Sequence, residues 1–318
     1  MRRLLFVMLM LMLTLAACGG DDSDDGAEAP PPPAKAADFP KGGQSVAALR
    51  KEASGAGPVL APTQSQLTPG QNRYGFALFD RARAQIADVP VALYVAPAGG
   101  KTSGPVVAKW ESLKVPAQFQ SQSTADDPDA AKAIYAAQLK FPKAGRYQVV
   151  AVAKLDGRLV SSAVQADVTA NGKVPAVGDP APKIDTPTVA SAGGDVKKID
   201  TRLPPSSLHA ENFRDVVGKK PVVLLFATPA LCQTRVCGPV VDVAEQVKAK
   251  RGKDVEFIQM EIFNDNQVDK GYRPQVRAYN LPTEPWVFAI DKNGKVAARI
   301  EGPYSAAELE RAVDAATK

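Results

Sequence analysis

Pro221-Val222-Val223-Leu224-Leu225-Phe226-Ala227 runs directly into Thr228-Pro229-Ala230-Leu231-Cys232-Gln233-Thr234-Arg235-Val236-Cys237-Gly238-Pro239. The first seven residues form an unbroken apolar run, the pattern of a central strand covered on both faces. From Cys237 to Arg251 an amphipathic helix is expected, with Val240, Val241, Val243, Ala244 and Val247 on its apolar side. The order strand, cysteine-bearing turn, helix puts sulfur where a helix begins. Free backbone amides at such a place favour a thiolate.

Downstream, residues 255–263 form the next strand and residues 273–279 a short helix. Residues 286–290 and 296–300 form a hairpin through Asn293-Gly294, a strong hairpin signal. A last helix begins at Ser305, where Ser305 and Glu308 make a capping box and Leu309, Ala312 and Val313 form the buried stripe. This order of elements is that of a thioredoxin fold. The resemblance to the thioredoxin-like superfamily extends to single residues. The cysteine motif follows the first central strand, and Pro285 stands directly before the hairpin strand, where exported members of that group carry a cis-proline. Val177-Gly178-Asp179-Pro180-Ala181-Pro182 also resembles the "V-G-x-x-A-P" opening of those members. Residues 178–318 are therefore expected to form an α/β thioredoxin-like domain.

A thioredoxin has two residues between its cysteines, whereas four lie between Cys232 and Cys237. Five helical steps advance about 7.5 Å, and a disulfide needs Cα atoms within about 7 Å. Cys232 must therefore sit before the helix, or the first turn must unwind. Either arrangement makes Cys232 the exposed, attacking sulfur and Cys237 the buried, resolving one. The resemblance places Pro285, with Glu284, Arg235 and Trp286, around the substrate. A carboxylate at Glu284 beside Cys232 raises its thiol pKa against the helix effect, unless Arg235 pairs with it. No cofactor and no metal is called for.

Three other readings stay open. "T-P-x-C-x-x-x-x-C-G" is the pattern of the bacterioferritin-comigratory peroxiredoxins, nearly matched by Thr228, Pro229, Cys232, Cys237 and Gly238, with one residue too many after Pro229. A thiol peroxidase follows from that resemblance. A copper chaperone of the Sco type uses two cysteines and a distant histidine. The single histidine, His209, lies upstream of the cysteine strand and reads as a surface residue. A redox-silent binding module, in which Cys232–Cys237 is a structural disulfide, is the reading from outside enzymology.

The N-terminus bears on location. Met1-Arg2-Arg3, an apolar run over residues 4–13 and Leu15-Ala16-Ala17-Cys18 make up a secretory signal. The last four residues resemble a lipobox. This implies a lipoprotein signal peptide over residues 1–17, cleavage before Cys18 and lipid on that cysteine. The protein is then held on the extracytoplasmic side of a cell membrane. Residues 18–45 open with Gly, Asp and Ser and continue into Pro30–Pro33, a composition suited to a disordered tether. With Cys18 lipidated, Cys232 and Cys237 remain as an even pair in an oxidising compartment.

Residues 57–170 read as β. Strands are expected at 72–80, 89–95, 106–110, 136–141, 145–155 and 160–168, separated by turn signals such as Asp156-Gly157. Gly145-Arg146-Tyr147-Gln148-Val149 resembles the "G-x-Y-x-hydrophobic" strand of Ig-like modules, so an Ig-like β-sandwich is expected. It serves as a spacer or binds a partner. The chain is 45% hydrophobic and 23% charged, as a folded protein should be. Without Arg2 and Arg3 it carries 37 basic against 34 acidic residues, which gives no nucleic-acid footprint. The expected partners are the membrane, through Cys18, and an unknown thiol or disulfide protein with its electron donor.

Overall fold

A computed structural model describes residues 30–53, 55–128, 130–231 and 237–318. The expected signal peptide, Cys18, Cys232 and Arg235 lie outside the described residues. Among those described, no helix is long and apolar enough to cross a membrane.

The β half holds α1 (Val46–Glu52), β1 (Val59–Pro62), β2 (Gly70–Phe79), β3 (Gln85–Ile86), β4 (Val91–Pro97), β5 (Ser103–Val107), β6 (Lys109–Ser112), α2 (Gln122–Ala125), β7 (Ala133–Phe141), β8 (Gly145–Leu155) and β9 (Arg158–Val168). One antiparallel sheet runs β5-β4-β8-β9 and the other β1-β2-β7-β6, with β3 paired to β2. Their inner faces share one core, in which Phe76 and Tyr135 from one sheet meet Leu93, Val149 and Ala151 from the other. The stretch expected as one strand at 106–110 is two strands, β5 and β6, which belong to different sheets.

β4 is buried at six consecutive positions because both of its faces are covered. Ala92 and Tyr94 point away from the shared core and pack with Phe39, Leu49 and Ala53. Tyr94 Oη donates to the carbonyl of Pro40 at 2.5 Å. The C-terminal part of the stretch read as tether thus packs on the sheet. Its buried Phe39 supplies what the Gly/Asp/Ser composition ahead of it lacks.

The α/β half holds α3 (Phe213–Val216), β10 (Val222–Phe226), α4 (Cys237–Arg251), β11 (Glu256–Met260), α5 (Pro274–Ala278), β12 (Trp286–Ile290), β13 (Val296–Glu301) and α6 (Ala306–Thr317). Its sheet runs β11-β10-β12-β13; β10 and β11 are parallel, and β12 and β13 antiparallel to their neighbours. This strand order and these strand directions are those expected from the sequence for residues 178–318. Val223 and Leu225 of β10 face α4 and α6, while Val222, Leu224 and Phe226 face the α3 and α5 side. That two-sided burial explains the unbroken apolar run. The hairpin turn forms at Asn293-Gly294, with Asp291 Oδ1 accepting from the amides of Asn293 and Lys295 at 2.9 Å.

The two halves are docked through buried polar contacts. Arg73 of β2 holds the Glu308 carboxylate with two 2.8 Å bonds and also donates to the carbonyls of Glu301 and Pro303. Ser305 Oγ donates to Glu111 Oε2 of β6 at 2.5 Å. Only half of the expected capping box forms. Ser305 Oγ accepts from the Glu308 amide, but the Glu308 carboxylate is taken by Arg73.

The docking also changes α4. Its first two turns are buried all round rather than on one side, and even Asp242 is fully buried. The reason is the segment at 117–125 of the β half, which covers the face expected to meet solvent.

Candidate active site

β10 ends at Phe226 and the chain turns at Thr228, whose side chain is fully buried. Two carboxyl groups converge there. The Thr228 amide donates to Glu284 Oε2 at 2.8 Å, and its hydroxyl donates to Glu261 Oε2. Glu261 Oε1 also accepts from the amide and hydroxyl of Thr201 at 2.7 and 3.0 Å. Thr201 Oγ1 in turn accepts from the Ala230 amide at 3.2 Å, which fixes the approach to the cysteines.

Cys237 opens α4, is 0% exposed and is disulfide-bonded. Its sulfur lies 3.5 Å from Glu284 Oε2. Glu284 directly precedes Pro285, and the bond between them is cis. Burial pushes the Glu284 carboxyl up to about 7, against the opposing effect of the Thr228 amide. Burial also pushes Glu261 up to about 7, although the Thr228 and Thr201 donors lower it. Two carboxyls that titrate near neutrality thus sit on either side of one threonine, and one of them touches a disulfide sulfur.

Some expected residues are placed elsewhere. Glu284 is partly buried, with Oε2 turned toward Cys237 and the Thr228 amide. Trp286 is 1% exposed and packs with Phe288. Alternation along β12 puts it in the core on the α5 side, while Cys237 and Val287 belong to the core on the α4 side. Trp286 therefore cannot line the cysteine site. His209, read as a surface residue, is 1% exposed. Its Nε2 lies 3.3 Å from Asp200 Oδ2, although neither ring nitrogen makes a well-aligned hydrogen bond among the described residues. Asp200 also accepts from the amides of Arg202 and Ser206 at 2.8 and 2.6 Å. His209 is thus held by a local polar cluster in the core. No group of three or more metal-ligating side chains occurs among the described residues.

Glu261 was not anticipated. Its signal was present: a carboxylate in Gln259-Met260-Glu261-Ile262-Phe263, an otherwise mostly apolar strand end. Asp242 was hidden in the same way, as a polar residue in a run of small apolar ones.

No family model matches the chain, and no curated protein matches it. Solved structures similar to part of it include a putative thiol:disulfide interchange protein DsbE from Chlorobium tepidum, at 20% identity. That match covers 45% of this chain and 99% of that one, with a TM-score of 0.31. A thiol:disulfide interchange protein of the thioredoxin family from Chlorobium tepidum TLS is similar at 21% identity over the same shares, with a TM-score of 0.32.

Proposed function

We propose that this protein is a thiol-disulfide oxidoreductase that exchanges disulfides with a protein partner through Cys232 and Cys237. The observation that carries this reading is the Glu284 carboxyl, 3.5 Å from the Cys237 sulfur and titrating at about 7. A general base works best when its pKa lies near the working pH.

Partner thiolate RS⁻ attacks Cys232, the Cys232–Cys237 bond breaks, and the departing Cys237 sulfur takes the proton of Glu284. In the reverse direction Glu284 removes the Cys237 thiol proton. Cys237 then attacks Cys232 in the mixed disulfide, the Cys232–SR bond breaks, and RS⁻ leaves to be protonated by water.

The anchoring half of the reading rests on the sequence alone. Lipid on Cys18 and the polar residues after it put the site on the outer side of a membrane, with the β half, of Ig-like type, between membrane and site. Replacing Cys18→Ser should leave the chain unlipidated by mass.

Full burial of Cys237 favours a second reading, a permanent disulfide in a redox-silent module. Trapping separates the two. A Cys237→Ser exchanger accumulates mixed disulfides through Cys232, and a silent module accumulates none. The peroxidase reading loses support because the Thr228 hydroxyl, which such a site needs for peroxide, is donated to Glu261. The copper reading loses support because His209 is buried against Asp200.

A further inference from the structure

The segment at 117–125 of the β half lies against the start of α4. Ser121 donates to Asp242 Oδ2 from both its amide, at 3.0 Å, and its hydroxyl, at 3.1 Å. Arg202 Nε donates to Asp242 Oδ1 at 2.9 Å, and Arg202 Nη2 to the Phe119 carbonyl at 2.7 Å. The Gln122 amide donates to the Leu203 carbonyl at 2.7 Å. The bonds of Ser121 and Arg202 are buried or partly buried, so the segment forms a wall fixed at Phe119 and Ser121.

Between this wall and residues 229–230 and 238–239 lies a cleft of about 380 Å³. Ser123, Thr124 and Ala130 line one side, Pro229, Ala230 and Pro239 the other. The volume is at the small end of ligand clefts, which run from ~300 to ~1,000 Å³.

Proton direction shows what the wall offers. A carboxylate only accepts, so the Ser121 hydroxyl proton goes to Asp242. Thr124 Oγ1, 2.9 Å from Ser121 Oγ, must then be the donor to Ser121. That leaves the Thr124 oxygen as an acceptor. It stands over Gly238, the neighbour of Cys237: a Cβ built on Gly238 would come within 2.8 Å of it. The missing side chain is what keeps this place open.

We propose that the cleft seats an extended polypeptide segment bearing the partner cysteine, with one peptide N–H donating to Thr124 Oγ1. Pro229, Ala230 and Pro239 give it small apolar contacts. The β half is then part of the exchange site and selects unfolded or flexible cysteine-bearing chains over small thiols. This rests on the exchange reading above.

The test uses the full chain and follows loss of its disulfide by alkylation and mass. Three reductants are compared: β-mercaptoethanol, a neutral cysteine-bearing peptide, and the same peptide N-methylated at the residues flanking cysteine. Thr124→Val keeps the shape and removes the acceptor. The expected result is a fall of about 3- to 10-fold in the rate with the plain peptide, the usual size of one hydrogen bond. The rate with β-mercaptoethanol should stay within about 2-fold. N-methylation should slow the wild-type protein and leave Thr124→Val unaffected, which a merely structural threonine would not produce. Equal slowing of all three reductants, or no effect of either change, overturns the proposal. If the wild-type disulfide reacts with β-mercaptoethanol but no faster with peptide, the cleft assignment fails and the exchange reading survives. If it reacts with neither, both fail.

Discussion

Glu284 Oε2 is 3.5 Å from Cys237 Sγ, so the buried sulfur of the pair has a proton acceptor beside it. Replacing Glu284→Gln keeps an oxygen for the Thr228 amide but removes the base. The rate at which Cys237 resolves a mixed disulfide should fall about 10- to 100-fold near pH 7.5, at the lower end of general-base effects. In the wild type this rate should rise through about pH 7, as the carboxyl ionises. In the variant the rise should move to the thiol range, roughly 8.5. Single-turnover release of a peptide thiol across pH 5–10 reads both.

The two raised carboxyls also affect stability. Glu284 and Glu261 hold their protons to about 7 when folded, but to only about 4.3 when unfolded. Over that interval the folded state binds more protons, so stability falls as pH rises. Below about pH 4 both states are protonated and the contribution is flat; above about 7 the loss is complete. Urea midpoints from pH 4.5 to 8 should decline more steeply for the wild type than for Glu261→Gln.

Asp242 joins the halves at the site. Asp242→Ala leaves the Arg202 guanidinium buried without its carboxylate and removes the acceptor of Ser121. Removing one partner of a buried ion pair costs about 3–5 kcal/mol. Urea unfolding should show a loss of that order. Arg73→Ala, which strands Glu308 at the same interface, should cost a similar amount.

The strand order of the α/β half was legible because each element carried its own signal: the apolar run at 222–226, Asn293-Gly294, and Ser305 at a helix start. The site was legible only in part. The places of Cys237 at the start of α4 and of Pro285 directly before β12 followed from spacing and resemblance. Trp286 was misplaced because adjacent residues on a strand face opposite sides of the sheet. The reach of Glu284 toward Cys237, and the role of Ser121, depend on contacts 47 and 121 residues apart in sequence. Local periodicity carries no trace of such pairs. The all-round burial of α4 was hidden for the same reason, since it is imposed by the β half.

The most direct test of the exchange reading is a glutathione redox titration of the full chain, with the state of Cys237 read by alkylation and mass. A reversible transition between roughly −120 and −270 mV is predicted, the range of exchange catalysts. A bond that stays closed well below about −300 mV would contradict the account and make the disulfide structural.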